Sequence, residues 1–292
     1  MTAATSVPET LAERRSLRDS IRGTGIGVSH FMSAVFLVLL ILVALLAPVI
    51  SPYDPLEQDL SSILQTPSAA HWLGNDDVGR DILSRILSGA RTSLAGSFIA
   101  GFVALAIGVP IGLIAGSVGG WVDSALMRVV DAMLAFPAVI LAMAIVGSLG
   151  PGIETAMFAI GIAYSPRLAR LLRVQARSVA TRPFVEAARL SGMSTPGVMI
   201  KVILPNSMRA VVVQWFVMLS FAFLAEAGLS FLGLGVQPPN ASWGGMLVRA
   251  YRTMDTAPWQ LIAPAAAIVL TVLALNQVGD AINRWMSKGV AE

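Results

Sequence analysis

The sequence predicts an all-α integral membrane protein that crosses the bilayer six times. Composition is the first indication: 55% of the 292 residues are hydrophobic and 13% are charged, where soluble domains carry about 25% charge, and mean hydropathy is +0.75. The second is a series of apolar runs, each near the ~20 residues that span a hydrocarbon core of about 30 Å. The third is charge asymmetry. Between 167 and 209 eight basic residues (Arg167, Arg170, Arg173, Arg177, Arg182, Arg189, Lys201 and Arg209) stand against one acid, Glu186, which assigns that stretch to the cytoplasmic side. The net charge of +3 is small and dispersed, so no nucleic-acid partner is expected. With 0 cysteines there is no disulfide framework and no thiolate-held metal. His30 and His71 are too far apart in sequence to suggest a shared site, and no metal site is expected.

Taken in order, residues 1–30 are polar, carry Arg14, Arg15, Arg18 and Arg22, and read as a cytoplasmic tail. The run 31–50 is longer than a signal-peptide core and reads as an uncleaved first span. Residues 51–91 form an extracytoplasmic segment, with Asp54, Glu57, Asp59, Asp76, Asp77 and Asp81 against Arg80 and Arg85. Within it, 77–89 reads as an amphipathic helix on the membrane, with Ile82, Leu83, Ile86 and Leu87 on one face. A second span covers 92–116; Gly108, Gly112 and Gly116, four apart, predict a closely packed helix pair. Gly119-Gly120-Trp121 turns the chain inside. The third span, 125–149, holds Arg128 and Asp131 one turn apart, either a structural pair or functional charges, and is expected to kink at Phe136-Pro137. The fourth, 153–172, runs on into an arginine-bearing helix. The fifth covers 210–234, with Glu226 towards its outer end. A Gly/Pro-rich stretch and an interfacial belt at 248–260 lead to the sixth, 261–282, and to a cytoplasmic C-terminus at 285–292. Residues 92–284 thus form a five-span core.

The polar island at 182–205 organises the rest. Glu186, Ala187, Ala188, Arg189 and Leu190 favour a helix. Gly192 can end it in a left-handed turn. Ser194-Thr195-Pro196 can start another helix, and Leu204-Pro205 is expected to break or kink the chain. The result is a helix–glycine–helix knuckle between two spans.

The spacing Glu186-Ala187-Ala188, Gly192, Val202, Leu204-Pro205 resembles the signature loop of membrane subunits of bacterial ATP-binding-cassette importers, with Val202 where that family usually has Ile. Two further stretches resemble the dipeptide, oligopeptide and nickel branch, in its "C"-type permease. One is Leu73-Gly74-Asn75-Asp76…Gly79-Arg80-Asp81…Ser84-Arg85, with Asn75 for the usual Thr. The other runs from Leu229 through Gly233, Gly235, Gln237-Pro238-Pro239 and Ser242-Trp243-Gly244. The resemblance implies the type I importer permease fold with a cytoplasmic coupling helix. It implies a permease subunit in the bacterial inner membrane, moving di- or oligopeptides into the cytoplasm by alternating access. Implied partners are a second homologous permease, two cytoplasmic ATPase subunits or one fused ATPase, an extracytoplasmic solute-binding protein, and membrane lipid. It also implies that Glu186, Ala187, Ala188, Gly192, Leu204 and Pro205 couple to the ATPase. Asp131, Glu226, Gln237 and Trp243 are candidates for the pathway or its gate.

The residues bound the chemistry independently. A phosphate-binding loop ends in Gly-Lys-Ser/Thr, and the lysines here, Lys201 and Lys288, follow Ile200 and Ser287. No nucleophile–base arrangement stands out either. The chain is therefore read as a non-enzyme with no catalytic residue and no cofactor of its own; ATP and magnesium belong to partner subunits. An importer of nickel or a metal chelate is the alternative substrate class. It would favour His or carboxylate ligands, and no His-rich feature is present. An ion-coupled secondary transporter is the remaining class; it calls for mid-membrane charges and inverted repeats, which are not evident.

Overall fold

A computed structural model describes residues 27–288. The expectations for 1–26 and 289–292 lie outside the described residues. Among the described residues there is no β-strand; one isolated antiparallel bridge joins Asn75 and Asp81. The helices are α1 (Val28–Ile50), α2 (Ile82–Val118), α3 (Gly120–Leu134), α4 (Ala138–Leu149), α5 (Ile153–Ala180), α6 (Pro183–Leu190), α7 (Thr195–Val198), α8 (Leu204–Phe231), α9 (Trp243–Arg252) and α10 (Ile262–Lys288).

Four stretches are long and apolar enough to cross a membrane: Val28–Ile50, Ile82–Val118, Thr195–Phe231 and Pro258–Met286. The α3–α4 pair, bent by 88°, makes a fifth when its two halves are taken as one span. Helix α5, 28 residues long, also has the length to cross, but its arginine-bearing second half keeps it out of that apolar set.

Three elements differ from the sequence reading. No amphipathic helix starts at 77. Asp76 Oδ1 accepts from the amides of Val78 and Arg80, both at 3.0 Å, and Gly79 adopts φ +78° so close to Asp59 that a Cβ would fall 1.9 Å from its carbonyl oxygen. Short polar side chains that capture nearby backbone compete with helix, so the helix begins only at Ile82, capped by Asp81 Oδ2, which accepts from the Ser84 amide at 2.7 Å. From there it does not stop at the membrane surface: the expected surface helix and second span are one helix of 37 residues.

The third span is likewise not a single kinked helix. Proline disfavours helical backbone at the preceding residue and donates no hydrogen bond, and Phe136-Pro137 separates α3 from α4 with a turn close to a right angle.

Leu204-Pro205, expected to break or kink the chain, does not break it. Helix runs continuously from Thr195 to Phe231 because Met199–Ile203 forms a π-turn just ahead of the proline. The wider turn accommodates the ring and the missing N–H. Asn206 Nδ2 and Ser207 Oγ add donors to the carbonyls of Val202 (2.7 Å) and Ile203 (2.8 Å).

The core is built on α5, whose Met157, Ile160, Leu168 and Leu172 are fully buried. Helix α2 packs parallel to it. A Cβ on Gly108, Gly112 or Gly116 would fall 2.4–2.7 Å from the carbonyl oxygens of Ser165, Ala169 and Arg173 respectively. Three glycines four apart thus lie on three carbonyls four apart, the close approach that lets helices associate in lipid without a hydrophobic drive. Helix α1 lies outside this core, packed on α2 and α10, with Phe31, Leu45 and Val49 exposed on its surface, as expected of a helix bathed in lipid.

Candidate functional site

At one end of the bundle the chain between α5 and α8 forms the expected knuckle. Helix α6 opens with Pro183 at its first position, where the missing N–H costs nothing. It closes through a Schellman turn: Met193 N donates to Ala188 O (3.2 Å) and Gly192 N to Arg189 O (3.0 Å), with Gly192 at φ +82°. The hydroxyl of Ser191 covers the Ala187 carbonyl at 2.8 Å. Val185, Val198 and Ile203 are buried and pin the knuckle to the core. What remains outside is mixed: Phe184, Leu190 and Met193 are exposed (47%, 83% and 39%), beside exposed Glu186, Ala187, Arg189 and Gly192.

The structure thus gathers most of the predicted coupling residues on one surface. Glu186 lies in the first turn of α6, where the helix dipole favours a carboxylate, and forms no ion pair among the described residues. Ala187 is exposed, and Ala188 is half-buried against the core. Leu204 is half-buried and Pro205 exposed, one π-turn away in the first turn of α8.

Next to the knuckle, the arginines of α5 clamp α3. Arg173 holds Asp123 through two nitrogens, with Nη2–Oδ2 at 2.6 Å, and Arg177 Nη1 reaches the same carboxylate at 3.5 Å. Asp131 pairs with Arg170, not with Arg128 as its spacing suggested; both groups are more than half exposed, so this pair contributes little energy. Arg167 lies 5.0 Å over the ring of Tyr164. Asp123 was missed by sequence reasoning. The available signal was an acid just after a Gly-Gly turn in a chain whose Ile153–Ala180 helix carries an arginine ladder.

The other pathway candidates lie at the opposite end. Glu226 is buried and accepts from Ser242 Oγ (2.7 Å), Ser230 Oγ (3.0 Å) and Gly244 N (3.2 Å), tying α9 to α8. Trp243 is buried and stacks on Phe223; its backbone N donates to Ser93 Oγ and its Nε1 to Ile86 O, both at 3.0 Å. Gln237 is exposed and donates to the carbonyls of Gly233 and Gly235 at 3.0 Å. The 51–81 segment is sewn to this end through polar side chains. Asp76 is 2.7 Å from buried Arg80 and 3.4 Å from buried Arg85, Asp77 is 3.3 Å from Arg249, and Gln260 Nε2 donates to Asn75 O at 3.0 Å. Among the described residues no group of three or more His, Cys, Asp or Glu could hold a metal ion.

A bundle of long apolar helices with a compact projection that is pinned to the core yet exposed at its tip is that of a polytopic membrane protein. The chain belongs to the family of binding-protein-dependent transport system inner membrane components, which it matches over residues 108–292; residues 31–67 match the N-terminal transmembrane domain of oligopeptide transport permease C. It is 42% identical over 242 residues to the dipeptide transport system permease protein DppC of Alkalihalophilus pseudofirmus, covering 83% of this chain and 80% of that one. It is 44% identical over 251 residues to the glutathione transport system permease protein GsiD of Shigella flexneri, covering 86% and 83%. Among solved structures, the inward-facing MetNI methionine ABC transporter superposes with a TM-score of 0.60 at 19% identity, covering 70% of this chain and 96% of that one. The fold is that of a type I ABC importer permease.

Proposed function

We propose that this chain is one permease subunit of an ATP-driven importer of short peptides, working beside a second, homologous permease. Two cytoplasmic ATPases, or one fused ATPase, would carry ATP and magnesium, and an extracytoplasmic binding protein would deliver the peptide. Both termini and the knuckle then face the cytoplasm. The peptide assignment draws on the names of the relatives and on the two branch-specific stretches. The observation that carries the mechanism is the knuckle itself: rigidly closed, fixed at its base by Val185, Val198 and Ile203, and exposing Phe184, Glu186, Leu190 and Met193.

Such a projection transmits displacement. Only Thr181 and Arg182 separate α5 from α6, and α7 continues through the π-turn into α8. An ATPase groove that closes on ATP and carries α6 with it therefore pulls on α5 and α8 together. Helix α5 takes α2 with it through the glycine contacts, and α3 through Arg173 and Asp123. Access would switch as this group tilts.

The test is purification of the tagged chain from its native membrane, reconstitution, and measurement of peptide uptake and ATP hydrolysis. Co-purification of a second permease and ATPase subunits, with hydrolysis stimulated by the peptide-loaded binding protein, is expected. Uptake of nickel in place of peptide would reassign the substrate. In the assembled transporter, Gly192→Val should leave hydrolysis but lose uptake; normal uptake would sink the coupling role.

A further inference from the structure

The end of the bundle opposite the knuckle holds a cavity of about 190 Å³ lined by Arg85, Arg249 and Arg252 and walled by Gln237, Pro238 and Asn240 of the Gly/Pro-rich loop. At about 30 Å³ per water-sized group, it has room for a carboxylate and part of the residue bearing it. No acid lines it. Arg85 is 2% exposed, and its Nη1 donates to Pro55 O at 2.9 Å. The carboxylate beside it, Asp76, is 3.4 Å from its Nε and already held at 2.7 Å by Arg80. Asp77 is likewise shared, 3.8 Å from Arg80 and 3.3 Å from Arg249. Arg252 is exposed and forms no ion pair among the described residues. Arg80 and Arg85 thus share Asp76, Arg80 and Arg249 share Asp77, and Arg252 has neither. Counting Glu226 behind the wall, whose oxygens are taken by Ser230, Ser242 and Gly244, leaves positive charge in excess. The surplus lies at the cavity mouth, on Arg252, where a planar guanidinium fork suits a carboxylate.

We propose that this cavity receives the C-terminal carboxylate of the incoming peptide as it leaves the binding protein, with Arg252 and Arg249 at the mouth and Arg85 at the base. The assignment rests on the peptide-importer reading. A concave site of this size fits a chain end better than it fits a protein surface.

The experiment uses the complete importer in proteoliposomes, with its binding protein saturated by either a free-acid peptide or the same peptide amidated at its C-terminus. Saturation removes the binding protein's own preference. Arg252→Gln is the first variant, because that side chain holds no ion pair in the fold; Arg249→Gln is the second. The wild type is expected to turn over the acid faster than the amide, and Arg252→Gln to lower that ratio by about tenfold, the loss expected for one charged hydrogen bond. An unchanged ratio overturns the proposal. If acid and amide uptake instead fall together, and more binding protein is needed for half-maximal hydrolysis, the arginines serve to dock acidic groups of the binding protein. A wild-type importer that moves neither peptide removes the peptide-importer reading along with the cavity's role. Wild-type uptake with no acid preference removes the cavity's role alone.

Discussion

At Gly192 the backbone sits at φ +82° and a Cβ would meet nothing within 4 Å. The cost of replacing it is therefore conformational, not steric, about 1–2 kcal/mol for an ordinary L-residue. Gly192→Ala should loosen the closure of α6 and lower peptide uptake per ATP hydrolysed severalfold, while Gly192→Asn, which tolerates left-handed backbone, should retain more; uptake and hydrolysis measured side by side decide it. Glu226 makes a different prediction. Glu226→Ala removes the acceptor shared by Ser230, Ser242 and Gly244 and should cost about 1–3 kcal/mol, read as a lower Tm of the detergent-purified chain. The residue-level legibility of these two sites differed. Gly192 was readable because its role is local: a glycine after a run of helix formers. The partners of Glu226 lie up to 18 residues away, and nothing in the local pattern around Ser242 or Gly244 marks them as donors to it.

At the scale of elements, the α2–α5 contact predicts a sharp contrast between two glycines. Gly112→Ala places a methyl group 2.4 Å from the Ala169 carbonyl oxygen and must force the helices apart. Gly147→Ala meets nothing within 4 Å. The first should lower thermal stability by several degrees and the second should leave it unchanged within error. A comparable loss in both would mean that the glycine stripe does not set the helix separation. The stripe was legible because a spacing of four is a property of one helix. The join of surface helix and second span was not, since it depends on Asp76 and Asp81 taking up the backbone before Ile82 and releasing it after. The π-turn before Pro205 was hidden for a similar reason. A proline announces a missing donor but does not say whether the chain will break or widen.

For the whole molecule, sidedness is the quantity to measure. Thr66 to Ala70 are exposed in the 51–81 segment, so a protease site inserted between Ser68 and Ala69 should be cut, and loop tips tolerate such insertions. Cleavage is expected in spheroplasts from outside and in inverted vesicles only after they are opened; the reverse pattern would turn the assigned topology over. Apolar length made the positions and order of the long helices readable, because the bilayer imposes it on each segment separately. The 88° elbow between α3 and α4 and the clamp of Asp123 by Arg173 and Arg177 were beyond reach, since both are relations between segments.

Helix α2 is 37 residues long, about 56 Å at 1.5 Å per residue, nearly twice the thickness of the hydrocarbon core. Its midpoint is at Ala100, whose carbonyl oxygen lies against Gly161 of α5, 2.8 Å from where a Cβ would be. Contacts continue on both sides of that midpoint, Gly96 against Met157 and Gly108 to Gly116 against Ser165 to Arg173, so a tilt about it moves the two helices as one unit. A rotation of only about 10° about that point swings each tip by about 5 Å, in opposite directions. In the proposed alternating access, one small tilt would open one face of the membrane as it closes the other.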